Sequence, residues 1–274
     1  MVKNVLICGL AVLLILGLFF SIGSRSADAK IVGAWLLDEG SGDTARDSSG
    51  NGVDGVLTGS PEWVNGKFGK ALKFDPSKYV DFPPPLSEKM ILEKTFTCMA
   101  WMNPHKWESG WNCAFSMQAG STGGEIYGIY FGNQGGTEIL CWTRIAGSGK
   151  SVTSGQGTLD LGKWTHGAIT YDGSKLIAYK NGEKAGETAV SGDLDNGDGK
   201  GRFVINGNYN SLNGGLGEWC SATIDEVLIF DEALTADEIK DYMENGFDAV
   251  MGGSTAVEPP SKLATTWAGL KMSQ

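Results

Sequence analysis

The strongest constraint in this sequence is a series of short apolar–polar alternations separated by Gly, Asn, Asp and Ser. Thr95–Met102 alternates over its whole length. Comparable runs occur at Ile31–Leu37, Ala71–Phe74, Tyr79–Phe82, Tyr127–Phe131, Ile139–Trp142, Trp164–Tyr171, Lys175–Lys180, Arg202–Asn206 and Thr223–Phe230. Successive side chains of a strand point to opposite faces, so a period of two marks a half-buried strand. Many short strands bounded by turn residues predict an all-β sandwich or barrel. Two of the breaks are specific. Asp172-Gly173 and Asn181-Gly182 tolerate the positive φ of tight hairpins, which makes Trp164–Glu187 three consecutive antiparallel strands.

Composition agrees with this pattern. Glycine contributes 41 of 274 residues and proline only 8. That glycine share is roughly twice the usual one, and with so little proline it is neither collagenous nor a disordered Pro/Gly tract. Nine Trp, 7 Tyr and 11 Phe supply a core and exclude global disorder. The net charge of −10 repels phosphate backbones, which argues against a nucleic-acid partner, and suits hard cations such as Ca²⁺. The two histidines, His105 and His166, are too few for a multi-His zinc or iron centre.

Lys3, the uncharged run Val5–Phe20 and the triplet Ala27-Asp28-Ala29 have the three parts of a secretory signal peptide over residues 1–29. The alternative is an uncleaved anchor, for which the run is slightly short of the ~20 residues a span needs. Only such a retained segment ties the chain to a membrane. The expected location is therefore secreted, periplasmic or cell-surface. Cleavage leaves Cys98, Cys113, Cys141 and Cys220, an even number that permits two disulfides in any of three pairings. Cys98 alternates with Phe96 and Ala100, which places it on a core face. Near the C-terminus, Thr235-Ala236-Asp237-Glu238 has capping-box spacing, Ile239, Tyr242 and Met243 share one face, and Asn245-Gly246 supplies a stop. These features predict one short helix, packed at the sandwich edge. Residues 30–248 then form a single domain, and 249–274 a linker and tail.

Four segments, taken in order, resemble one known group. They are Ala34–Gly42 with Ala45–Gly52; Gly66–Asp75 with Tyr79-Val80; Phe96–Pro104 with Trp164–Gly173 and Tyr179–Gly182; and Thr223–Thr235. Together they are similar to the concanavalin A-like jelly rolls of the laminin-G-like group, in its bacterial extracellular branch. The resemblance implies an antiparallel two-sheet jelly-roll sandwich and, as in many members, a structural Ca²⁺ on its rim, with no other cofactor. Trp164-Thr165-His166 departs from the group's usual Trp-His-His, and Lys106–Ser116 falls outside every matching segment.

Calcium takes about 6–8 oxygen ligands. Asp38 opens the first loop and Asp225 lies on the last strand, so the two converge if the first and last strands pair. Asp47, Asn51 and Asp75 are further donors. The competing reading is that Asp38 and Asp47 cap turns through their own backbone. In Asp225-Glu226, neighbouring strand residues face opposite ways, so only one is expected to serve a given site. Asp193–Gly199 resembles a Ca²⁺ loop, but its sixth and twelfth positions are Asp198 and Val204 where an EF-hand needs Gly and Glu. A solvated acidic turn is the expectation there.

Trp101, Trp107, Trp111 and Trp142 are the candidate ligand-binding residues, with Tyr209 and Trp219 as further flat faces, because sugar C–H groups pack on aromatic rings much as apolar groups do. Core filling competes for at least half of them. The surface loop Trp107–Asn112 is the sharpest candidate, and Trp101, opposite in alternation to Phe96 and Ala100, is expected to face a groove. No catalytic set is legible. Asp225 and Glu226 are adjacent, the wrong periodicity for a same-face carboxylate pair, and no Gly-x-Ser-x-Gly elbow occurs. The expectation is an exported, non-catalytic module that binds a glycan or a cell-surface protein, carbohydrate binding or adhesion first. The alternatives are a structural or protein-interaction module of the cell envelope, and a glycan hydrolase or lyase with an unrecognised site.

Overall fold

The last strand, β18 (Ser221–Phe230), is buried along its whole length and organises the first sheet. On one side it pairs with β7 (Phe96–Lys106). Two strands share its other side: β5 (Lys70–Phe74) against Ala222–Ile224, and β1 (Ile31–Trp35) against Val227–Phe230. The expected meeting of first and last strands is thus present. Beyond β7 the sheet continues through β12 (Thr165–Tyr171), β13 (Lys175–Lys180) and β14 (Glu183–Ala189), and β4 (Glu62–Asn65) closes it beyond β5. The second sheet runs in the order β11 (Ser148–Thr153), β10 (Ile139–Ile145), β9 (Glu125–Asn133), β8 (Trp111–Gln118), β15 (Phe203–Ile205), β6 (Tyr79–Phe82), β3 (Gly55–Thr58) and β2 (Thr44–Ala45). A small hairpin, β16 (Asn208–Asn210) and β17 (Gly215–Gly217), lies beside β8. This computed structural model describes residues 31–82, 90–118, 124–133, 138–155, 157, 159–195, 201–210 and 215–251. The expected signal peptide, most of the tail and the end of the Asp193–Gly199 turn lie outside those residues.

The sandwich is the antiparallel two-sheet jelly roll that the alternation and the resemblance predict. Phe74, Phe96, Cys98, Ala100, Met102 and Ile224 face inward from the first sheet, and Phe82, Phe115, Ile129, Phe131, Cys141 and Phe203 from the second. Trp35 anchors the centre. Its ring lies 4.9 Å from Phe82 and 5.0 Å from Phe203, and its indole N–H donates to the Val53 carbonyl at 2.8 Å. The four cysteines are buried free thiols. At the predicted β13–β14 turn Asn181 and Gly182 take φ of 50° and 77°, the left-handed values a type I′ hairpin requires.

The helix α1 (Ala236–Asn245) forms with the capping box intact, and Gly246 ends it. Its position differs from the expectation. With the short α2 (Phe247–Val250), it covers the outer face of the first sheet, not its edge. Ile239, Tyr242 and Phe247 bury themselves against Ala34, Met99, Ala168, Leu228 and Phe230. The reason is that this half of the outer face is apolar on β1, β7, β12 and β18 alike, and burying it is favourable at about 25 cal/mol per Å².

Candidate functional site

The outer face of the second sheet carries a strip of aromatic and polar side chains. Cys113 of β8, Tyr130 of β9 and Leu140 of β10 form a buried floor, and Trp111 and Trp142 stand half-buried against it. Trp111 meets Tyr130 edge to face with centroids 5.4 Å apart. Trp142 lies over β11 where Gly149 leaves room, since a Cβ there falls 2.6 Å from the indole. Glu125, at the start of β9, folds back over Gly128, whose missing Cβ leaves space for the carboxylate.

The polar groups of the strip orient one another. Tyr130 Oη donates to Glu125 Oε2 at 2.7 Å and stands 3.4 Å from Glu218 Oε2. Asn208 Nδ2 donates to Tyr130 Oη at 2.8 Å and to Glu218 Oε2 at 2.7 Å. Asn208 Oδ1 in turn accepts from Ser116 Oγ and Gln118 Nε2. The other oxygen of Glu125, Oε1, is buried without a partner among the described residues. Burial pushes the Glu125 carboxyl up to about 8; the Tyr130 hydrogen bond opposes the rise and the Glu218 charge adds to it. Burial also raises Glu218. Glu125 is therefore mostly protonated at neutral pH and able to donate as well as accept. Flat rings beside a few convergent polar groups form a surface suited to a ligand with one apolar and one hydroxylated aspect.

The candidate tryptophans divide. Trp111 and Trp142 come together on this strip. Trp107 does not join them: it packs against the main core. The expected loop is short, because β7 continues to Lys106 and β8 begins at Trp111, and Glu108 is held by Lys106 and Ser221. Trp101 faces no open groove. It points outward from the first sheet, as its alternation implies, but the β4–β5 turn crosses over it and Lys67 Nζ sits 4.3 Å above its ring, leaving the residue 5% exposed. Trp219 packs tilted against Tyr79, with centroids 5.5 Å apart. Tyr209 lies on β16, with its side chain outside the described residues. Glu125, Tyr130, Asn208 and Glu218 were not singled out from the sequence. Glu125 and Tyr130 lie on β9, Asn208 on β16 and Glu218 just after β17, so no local spacing marks the four as one group.

Asp38 and Asp225 converge, but as turn clamps. Asp225 Oδ2 accepts from the Lys67 and Phe68 amides at 2.8 and 3.1 Å, and Asp38 Oδ1 accepts from the Lys70 amide. Asp225 Oδ1 is buried without a partner among the described residues, and burial pushes this carboxyl up to about 8. Asp47 is fully engaged by the amides of Ala34, Ser49 and Val53, and Asn51 Nδ2 donates to the Ile31 and Val32 carbonyls. Asp75 lies past the far end of β5, paired with Lys78 at 2.9 Å. The five residues do not compose one Ca²⁺ shell, and among the described residues no group of three His, Cys, Asp or Glu is placed to hold a metal ion.

The expectation that Asp225 and Glu226 face opposite ways also needs correction. A bulge between Asp225 and Leu228, with Glu226 at φ 51°, adds a residue to β18, at the point where its neighbour changes from β5 to β1. The extra residue leaves both carboxylates on the outer side, where Glu226 Oε2 accepts from the Phe247 amide at 2.9 Å.

The model of the concanavalin A-like lectin/glucanases superfamily matches residues 74–240, and the chain belongs to that superfamily. No curated protein sequence matches it. Among solved structures it is similar to domain 4 of AbnA, a GH43 extracellular arabinanase from Geobacillus stearothermophilus, in complex with arabinotriose. That likeness has a TM-score of 0.58 at 20% identity, over 78% of this chain and 98% of that one. The binding domain of Paraclostridial mosquitocidal protein 1 is similar at a TM-score of 0.60 and 13% identity, over 78% and 52% of the two chains. The receptor-binding domain of the botulinum neurotoxin C/D mosaic serotype gives 0.57 and 16%, over 78% and 51%. At these identities the likeness shows the fold.

Proposed function

We propose that this chain is a non-catalytic carbohydrate-binding module, exported from the cytoplasm, whose platform is the outer face of the second sheet. The observation that carries the reading is the meeting of two half-buried indoles, Trp111 and Trp142, with the interlocked polar groups of Glu125, Tyr130, Asn208 and Glu218 on one sheet face. A sugar ring offers C–H groups to the indoles and hydroxyls to the polar row. The arabinotriose bound to the AbnA domain supports the ligand class. The leader-like segment at residues 1–29 supports a place at the cell surface, in the periplasm or outside the cell. A glycan array followed by titration tests the proposal. Trp142→Ala and Trp111→Ala each weaken the best ligand by about tenfold or more, about 1.4 kcal/mol, with the fold intact. An array without hits overturns it.

One observation favours a second reading, glycan hydrolysis. Glu125 and Glu218 both reach the Tyr130 hydroxyl, which holds the two carboxyls near the ~5–10 Å range that glycosidases use, and a raised carboxyl suits a general acid. Release of reducing ends from a bound polysaccharide, abolished by Glu125→Gln and by Glu218→Gln, would replace the binding reading. Binding without turnover retains it.

A further inference from the structure

Glu125 and Glu218 are two carboxyls sharing one phenol, and neither forms an ion pair among the described residues. Arg144, two residues beyond Trp142 on β10, is engaged by Asp195 at 2.9 Å. Among the described residues the donors that reach the carboxyl pair are neutral, Tyr130 and Asn208, and Glu125 Oε1 is buried without a donor. Two acids held this close resist ionising together, and a counter-charge brought up beside them relieves that resistance. An ammonium supplies the charge and three N–H donors in one group. The adjoining indole faces attract a cation as well. A neutral hydroxyl offers the pair a donor but no charge. A uronate or sulfate brings a further anion to a chain of net charge −10.

We propose that this face selects glycans bearing free amines, amino sugars that are not N-acylated, over neutral and acidic glycans. The inference rests on the carbohydrate-platform reading above. It is tested with the full chain by titrating three oligosaccharides of similar length near neutral pH: a glucosamine oligomer, its fully N-acetylated form and an oligouronate. The free-amine form binds about tenfold tighter than the acetylated form, and the oligouronate binds weakest. Glu218→Gln, at a half-buried position, and Glu125→Gln each shrink that preference severalfold, because each weakens the free-amine ligand more than the acetylated one. The preference persists at about 0.5 M salt, where diffuse attraction to an acidic protein is screened. Equal binding of the two forms overturns the inference and leaves the carbohydrate reading standing. So does a preference that both Gln variants keep, since it then arises elsewhere on the acidic surface. If none of the three oligosaccharides binds and a glycan array is also blank, the carbohydrate reading itself falls.

Discussion

Trp101 and Trp142 both point away from the sandwich core, one from each sheet, and end in different surroundings. Over the first sheet the chain lays a second layer. The β4–β5 turn carries Lys67 across Trp101, and α1 and α2 cover Met99, Ala168, Leu228 and Phe230. Over the second sheet the strip around Trp111 and Trp142 keeps its rings half-buried beside unspent polar groups. Alternation decides which residues leave the core. Whether they meet water is decided by which other segment crosses them, and at Trp101 that segment is a turn held by Asp225 and Asp38.

The contrast makes its largest prediction for stability. Trp101→Ala removes a ring packed against Trp164 and His166 and is expected to cost about 3–5 kcal/mol in denaturant unfolding. Trp142→Ala, at a half-buried position, costs about 1 kcal/mol or less. Equal losses would erase the distinction between the two faces.

The pH profile sharpens it. Glu125 on the second sheet is pushed up to about 8 in the folded chain, above its unfolded value of about 4.3. Its contribution is full below that unfolded value and is lost as pH rises through about 8, so unfolding free energy falls by about 2 kcal/mol or more between about pH 5 and 9. Asp225 and Glu226, raised to about 8 and about 7 mainly by burial, add to the same limb. His166 on the first sheet has the opposite sign. Burial lowers it to about 3, so its contribution is full above its unfolded value of about 6.5 and is lost as pH falls toward 3. Glu125→Gln flattens the alkaline limb and leaves the acid limb unchanged; a variant with the native slope removes Glu125 from the account.

The smallest effect belongs to the covering layer. Thr235→Ala breaks the capping box of α1 and costs about 1 kcal/mol by thermal melting, with no change in glycan affinity. A larger loss of affinity than of stability would tie the first sheet's outer face to binding.

The elements legible in the sequence are those whose cause is local. The alternation of β7, the Asp172-Gly173 and Asn181-Gly182 turns around β13, and the Thr235 capping box are each written within a few residues. The strands β3, β4 and β11 are not, because Gly55–Thr58 and Glu62–Asn65 set their two apolar residues side by side without alternation, Ser148–Thr153 has only Val152, and all three owe their extended state to pairing with β6, β5 and β10. The bulge at Glu226 is likewise tertiary, set where β18 changes partners. In the candidate site, Trp111 was legible as an aromatic of an expected surface loop and Trp142 as one of a strand, but Trp107 and Trp101 carried the same two signals. Glu125, Asn208 and Glu218 carried none, because the pairing of β8 with β9 and the fold of the β16–β17 hairpin bring them to Tyr130.

The most direct measurement is calorimetric titration of the best array ligand into the full chain, Trp142→Ala and Lys67→Ala. The expected result is an affinity lowered by about tenfold or more in Trp142→Ala and unchanged in Lys67→Ala, whose site of change lies on the other sheet. Native affinity in Trp142→Ala together with weakened binding in Lys67→Ala would contradict the assignment and move the ligand to the first sheet.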